Sequence, residues 1–204
     1  MKIDISNRYL PKEEIRYDER PYIDYYDCLK ETFYLNDIDG FADFGCATGV
    51  LLKQIKTFYP NKRLYGIEYF EWQKQAADPV IKDLINIFDL RDNLDHNAKY
   101  DIVNCTEVGE HIESEHTGTL LSNIKKVCSK YVITTWSKGG GSRDPGHDPH
   151  QQHLNPMEYS DYIKLFESNG FKKRVDLSER FIQKSIIKEN FYFWWRDSLV
   201  VWEL

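Results

Sequence analysis

The sequence predicts an α/β fold, a mostly parallel sheet with helices on both faces that ends in an antiparallel pair of strands. Three observations predict it. Residues 41–52 alternate apolar and polar at first and then pass, across two glycines, to apolar positions at helical spacing, Val50, Leu51 and Ile55. The apolar runs 64–68, 84–90, 100–105 and 131–135 follow, separated by helical or turn-forming stretches, which is the alternation of a parallel sheet. Runs 171–175 and 199–202 then close the chain as candidates for the antiparallel pair.

A chain of 204 residues can bury one sizeable core and is short for two ordinary domains, so a single globular unit is expected. No apolar run approaches the roughly 20 residues of a membrane span, and no membrane partner is expected. The first residues, Met1 to Ile5, lack the apolar core of a secretion signal. Cys28, Cys46, Cys105 and Cys128 are widely spaced with no metal-ligand rhythm, so they read as reduced thiols in a cytoplasmic protein. The net charge of -6 weighs against an obligate nucleic-acid partner, because neutralising phosphates takes clustered cations and the dense basic cluster is only Lys172, Lys173 and Arg174.

Residues 1–38 are polar and rich in tyrosine. Tyr22, Tyr25, Tyr26, Leu29 and Phe33 fall at helical spacing, which predicts an amphipathic helix that leans on the sheet or closes over a ligand. The first strand, 41–44, ends in a turn at Gly45 and Gly49, where the backbone bends sharply and a ligand can approach with no Cβ in the way. Asp43 stands just before that turn, placed to hold its amides or to accept a hydrogen bond from a cationic amine. A helix from near Thr48 breaks at Pro60, and Glu68 ends the second strand about 20 residues past the turn, where an acid in such folds meets a ribose. A strand-end acid is often only solvated, but the spacing of Glu68 from Gly49 favours the functional reading.

A helical stretch, 72–77, leads past Pro79 to the third strand, 84–90, with Asp89 near its end; turn chemistry alone also accounts for that acid. The fourth strand, 100–105, passes at once to Glu107, Glu110 and His111. Leu120, Leu121, Ile124 and Val127 mark a helix before the fifth strand, 131–135. Residues 136–150 carry four glycines and two prolines, a long loop that also holds His147 and His150. Pro156 and the spacing of Tyr159, Ile163 and Phe166 start a helix that Gly170 ends. A helical segment, 178–188, and the aromatic run 191–195 lead into the last strand; that run serves packing more readily than it walls a substrate.

The dinucleotide pattern G-x-G-x-x-G is absent. What stands at 43–49 is Asp-x-Gly-x-x-x-Gly, which closely resembles the first motif of class I S-adenosylmethionine-dependent methyltransferases. The resemblance covers residues 40–204 and implies a Rossmann-like seven-stranded sheet with a C-terminal antiparallel hairpin. It divides the unit into an N-terminal helical or lid segment, 1–38, and a methyltransferase domain, 39–204. S-adenosylmethionine is the implied cofactor, bound through Asp43, Gly45, Cys46, Ala47, Gly49, Glu68, Tyr69, Asp89, Leu90 and Cys105. Glu68 would take both ribose hydroxyls, Asp89 the exocyclic amine of adenine, and the apolar neighbour of Asp89 the ring.

A sulfonium methyl is already an activated electrophile, so such an enzyme has mainly to orient a nucleophile and remove its proton. Glu107, Glu110 and His111, spaced i, i+3 and i+4, would share one face of a first helical turn. Completed by His153, they can hold a divalent cation. Glu-x-x-Glu-His with a distant His resembles the metal-dependent O-methyltransferases of the ubiquinone pathway and of small-RNA 3′ ends, in which the cation binds neighbouring hydroxyls. His153-Leu154-Asn155 also resembles the His-x-Asn that follows strand five in small microbial and viral methyltransferases. The resemblance implies Mg or Mn, with Zn less favoured, at Glu107, Glu110, His111 and His153, and catalytic roles for His111, His153 and Glu107. Acids that merely favour a helix N-terminus explain the same residues without a metal. His147, His150 and His153 can form a zinc site of their own, but in so glycine-rich a loop His147 and His150 read more readily as surface residues. The expected acceptor is an oxygen of a small hydroxylated metabolite or sugar. An RNA 2′-hydroxyl and a non-catalytic S-adenosylmethionine-binding module are the alternatives.

Overall fold

A computed structural model describes residues 19–138 and 153–204. α1 (Arg20–Phe33) precedes β1 (Gly40–Phe44), and the chain then alternates through α2 (Val50–Phe58), β2 (Arg63–Glu68), α3 (Glu71–Ala76), β3 (Ile85–Ile87), β4 (Tyr100–Cys105), α4 (Thr117–Val127) and β5 (Cys128–Thr134). It continues through α5 (Tyr159–Ser168), β6 (Lys172–Lys173), α6 (Val175–Ile186), α7 (Phe193–Ser198) and β7 (Val200–Glu203). The strands form one seven-stranded sheet in the order β3-β2-β1-β4-β5-β7-β6. β1 to β5 are parallel, and β7 lies antiparallel between β5 and β6. The expected Rossmann-like sheet is therefore present, with α6 and α7 joining the antiparallel pair. Strand order reverses between β1 and β4, which opens a crevice beyond their carboxyl ends.

Alternation along the strands feeds two cores. Phe41, Ile102, Ile133 and Val201 face one side; Ala42, Phe44, Val103, Val132 and Trp202 face the other. On the first side Tyr25, Tyr26, Leu29 and Phe33 of α1 are buried with Leu52 and Ile55 of α2 and Phe181 of α6. Residues 20–33 thus form a layer of the main core. Phe191 and Trp195 of the aromatic run join it, with their rings 5.4 Å apart edge to face, while Phe193 and Trp194 stay exposed. On the second side Trp202 is fully buried, stacked on Phe166 at 4.8 Å, and its Nε1 donates to Thr134 Oγ1 at 2.8 Å.

Several boundaries differ from the sequence reading for local reasons. β3 spans three residues, because it pairs with β2 alone and the chain turns after Ile87 as the Phe88 amide bonds Glu68 O. Asp89 therefore sits in a turn. β5 begins earlier than expected, since α4 runs straight into it and Cys128 pairs with Tyr100. Val175 opens α6, which leaves β6 only two residues. The loop expected at 136–150 falls mostly outside the described residues, and His147 and His150 with it.

Gly49 is the left-handed residue before α2, with φ +75°, and a Cβ there would meet Ile81 Cδ1 at 2.6 Å and Ile85 Cδ1 at 3.0 Å. Gly49→Ala combines a left-handed penalty with overpacking and should cost about 2–4 kcal/mol of unfolding free energy, read from the midpoint shift in urea.

Candidate active site

The turn after β1 is built by backbone conformation. Gly45, Ala47 and Gly49 all have positive φ (74°, 50° and 75°), and the Gly45 and Cys46 amides both donate to Ile67 O of β2. A Cβ on Gly45 would come within 2.4 Å of Val108 Cγ2. Both turn glycines are thus required by protein neighbours, Val108 at Gly45 and the two isoleucines at Gly49. Glu68 fastens the turn: Oε2 accepts from the Ala47 amide at 2.9 Å, and Oε1 from Tyr69 and Phe70 amides at 2.8 and 2.9 Å. Burial raises its pKa and these amides oppose the rise. A carboxylate has about four acceptor sites, so these three amides leave about one open.

Gly45, Glu68, Tyr69, Asp89, Leu90, Glu107, Val108 and His111 line a cavity of about 210 Å³ above the crevice. Beside it lies a wider cleft of about 890 Å³ that shares Tyr69, Phe70, Phe88 and Asp89 with it. Of the other residues expected at the cofactor, Asp43, Cys46, Ala47, Gly49 and Cys105 are not among those lining this cavity. Cys46 and Cys105 are core residues on opposite faces of the sheet, and burial pushes both thiols up. Ala47 contributes its amide to Glu68, and Gly49 supports α2. Asp89 is gripped by Arg91, whose Nε and Nη2 reach Oδ1 and Oδ2 at 2.9 Å each.

Asp43 lies beneath the turn. The parallel register sets it opposite Asn104, whose Nδ2 donates to Asp43 Oδ1 at 2.8 Å; Tyr25 of α1 in turn donates its hydroxyl to Asn104 Oδ1 at 2.6 Å. All three residues are buried. Asp43 thus meets a side-chain amide, where the turn amides were one expected partner. Burial, partly offset by Asn104 and reinforced by Glu68, pushes its pKa up to about 7. The sequence offered no local sign of Asn104, because the contact exists only once β1 and β4 are in register.

The segment after β4 departs from the helical face expected of Glu107, Glu110 and His111. Glu107 has left-handed backbone, φ 57°, and only Gly109–His111 forms a single 3-10 turn. Thr135 holds Glu107 twice: it accepts from the Glu107 amide at 2.8 Å and donates to Oε1 at 2.8 Å. The candidate ligand atoms of Glu110, His111 and His153 all lie within 4.8 Å of one another, and the two imidazole centroids are 5.0 Å apart. Glu107 is outside that cluster. Glu110 is fully buried, and its Oε2 meets no hydrogen-bond partner among the described residues. Burial and the nearby Glu107 push its pKa up to about 8. Burial lowers the pKa of His153, which keeps its imidazole neutral at physiological pH.

Asn155 explains how His153 comes to His111. Its amide donates to Glu110 O at 2.9 Å, its Nδ2 to Thr117 Oγ1 at 3.0 Å, and its carbonyl accepts from Trp136 Nε1 at 2.7 Å. Trp136 lies so close over Gly109 that a Cβ there would be 2.2 Å from the ring. The His-x-Asn pair therefore divides its work, the histidine facing the cluster and the asparagine anchoring it.

A glycine turn after β1, a buried acid closing β2 and a cleft at the reversal of strand order fit a nucleoside cofactor, with Glu68 as an acceptor-only group beside aromatic walls. The family described as "Methyltransferase domain" matches residues 40–174. The chain belongs to that family. It is an S-adenosylmethionine-dependent methyltransferase, so the binding-module alternative gives way to an enzyme. No curated protein matches the sequence. Among solved structures the methyltransferase resembles the plantazolicin methyltransferase BpumL bound to SAH, with TM-score 0.60 and 15% identity over 91% of this chain and 84% of the other. It also resembles the methyltransferase domain of bacterial CtHen1-C, with TM-score 0.57 and 16% identity over 89% and 98%. For the StiE O-MT domain the TM-score is 0.55, with 19% identity over 87% and 72%. At these identities the likeness is one of fold.

Asp43 gives this methyltransferase a testable pH dependence. The folded state keeps the Asp43 proton up to about pH 7, whereas the unfolded chain releases it near the ordinary 3.8. Its stabilising contribution is thus complete below about pH 4 and lost as pH rises through about 7. Melting temperature should fall from about pH 5 to about pH 8, and Asp43→Asn, which keeps the shape, should make that fall shallower.

Proposed function

We propose that this methyltransferase methylates an oxygen of a small hydroxylated metabolite or sugar unit, with a divalent cation held beside the acceptor by Glu110, His111 and His153. The cluster those three residues form carries the reading. A carboxylate oxygen buried without a donor is costly unless a proton or a cation meets it, and two imidazoles stand within reach of the same point. A carboxylate with two imidazoles is a ligand set for Mn or Zn more than for Mg, which prefers oxygen ligands. That reverses the order expected when Glu107 was counted as a ligand.

The bound cofactor supplies an activated methyl. The chain's own residues have to hold the acceptor oxygen and take its proton. Glu107 is suited to taking the proton, since it lines the cavity, Thr135 fixes one of its oxygens, and burial raises its pKa. Strained backbone at such a position is a common mark of a functional site. His153, kept neutral by burial, can accept a proton or a metal. A cation there would supply charge to orient and acidify neighbouring hydroxyls.

An RNA 2′-hydroxyl is the second reading, supported by the cluster together with the resemblance of Glu-x-x-Glu-His and a distant His to the small-RNA 3′-end enzymes. The net charge of -6 speaks against a long RNA footprint. Among the described residues no helix is long and apolar enough to cross a membrane. Incubation with cofactor and fractionated metabolites, sugar nucleotides and short RNAs should yield a methyl ether on a small molecule, detected by mass spectrometry. Products confined to RNA 3′ ends or to nitrogen would overturn this acceptor.

Removal of metal with EDTA should abolish most activity, and Mn should restore it better than Mg at equal concentration. His153→Ala should lower turnover by about a hundredfold while cofactor affinity stays within about twofold. Full activity after exhaustive chelation would remove the cation from the mechanism.

A further inference from the structure

We infer that Tyr25 is a positioning residue of the cofactor site: its hydroxyl fixes the Asn104 amide as a donor to Asp43 and so keeps that carboxylate ready for the positive charge of S-adenosylmethionine. The inference rests on S-adenosylmethionine dependence, with Asp43 as the acid that meets the cofactor's ammonium, and is independent of the acceptor and of any metal. Tyr25 stands in α1, ahead of residues 40–174 that match the family, so the matched region does not contain it. Its ring packs against Phe181, Phe191 and Trp195, with centroids 5.0, 6.0 and 5.3 Å away. That packing brings the hydroxyl to Asn104 Oδ1 at 2.6 Å, across 79 positions of sequence.

An asparagine amide has an accepting end and a donating end, and a half-turn exchanges them. A buried phenol proton needs an acceptor, and among the described residues Asn104 Oδ1 is the one that meets Tyr25. With Oδ1 so engaged, Nδ2 faces Asp43 Oδ1 at 2.8 Å and Thr106 Oγ1 at 3.2 Å. Turning the amide over would strand the phenol proton and set an oxygen against Asp43, an arrangement that requires a proton on the carboxylate. The titratable groups that face Asp43 are Glu68 at the end of β2, Cys46 in the turn, Cys105 of β4 and Tyr25 of α1, and none of these is a cation. Burial and Glu68 favour the protonated acid, so the Asn104 donor is what opposes them. Gly45, two positions on, lines the cavity, which places the carboxylate under the floor of the site. A cofactor that carries an ammonium supplies the opposite charge this floor lacks, and Asp43 releases its proton to meet it.

The experiment is calorimetry of the full chain with S-adenosylhomocysteine, which keeps the ammonium, at about pH 6 and about pH 8. Asp43 holds its proton up to about pH 7, so the wild-type dissociation constant should fall about tenfold between those two values. Tyr25→Phe keeps the ring and removes the hydroxyl; losing the oriented donor should raise the proton affinity of Asp43 about tenfold. The variant should then bind about tenfold more weakly than the wild type near pH 6 and within about twofold of it near pH 8. The ratio of the two proteins cancels the ligand's own ionisation. In an Asp43→Asn background, Tyr25→Phe should change affinity by one factor at both pH values. An effect of Tyr25→Phe on the wild type that is equal at both pH values, none included, would make Tyr25 a packing residue and overturn the inference. So would a wild-type dissociation constant that stays within about twofold across that range, an outcome that needs no variant. If the ligand binds the wild type at neither pH, S-adenosylmethionine dependence fails and this inference fails with it.

Discussion

The parallel register of β1 against β4 is the constraint on which the site depends. It sets Asp43 beside Asn104 in the middle of the sheet, where no water reaches, and a carboxylate there must find a donor or a proton. Asn104 supplies the donor and is itself oriented by Tyr25, so the helix ahead of the sheet takes part in the site's electrostatics. The same two strands bring the turn at Gly45 against Val108. The segment bearing Glu107 and His111 is thereby held directly over the turn.

Around that centre the acids are sorted by what meets them. Glu68 spends its acceptor sites on three amides of its own neighbourhood, and Asp89 spends them on Arg91. Glu107 is held by a hydroxyl that both gives and takes a hydrogen bond. Glu110 alone among these four keeps a buried oxygen without a partner among the described residues, and it is the one beside two imidazoles. Burial raises the pKa of Glu68, Glu107 and Glu110, and the donors that meet each carboxylate oppose that rise.

Much of this was legible in the chain because the signals are local. Alternation of period two, helical spacing and glycines before helices mark elements over a few residues, and the acids at strand ends follow from the elements. The unread part is of two kinds. Asn104 and Thr135 act on residues 61 and 28 positions away, contacts that exist only when neighbouring strands are aligned. Glu107 does not share a helical face with Glu110 and His111, because spacing says nothing about a left-handed residue that breaks the helix. Arg91 stood two residues from Asp89 in plain sight, but nearness in sequence does not reveal that a side chain folds back on its neighbour.

The chain between β5 and α5 leaves and returns through a closed base. Ser137 O accepts from the Met157 amide at 3.0 Å, the Ser137 amide donates to Glu110 Oε1 at 3.3 Å, and the Asn155 amide bonds Glu110 O. His153 therefore takes its position from the base of the excursion, whatever lies between the two stems. Glu110 is thus a floor on which both stems rest, one through its carboxylate and one through its carbonyl, so a displacement of that residue would carry Ser137 and Asn155 with it.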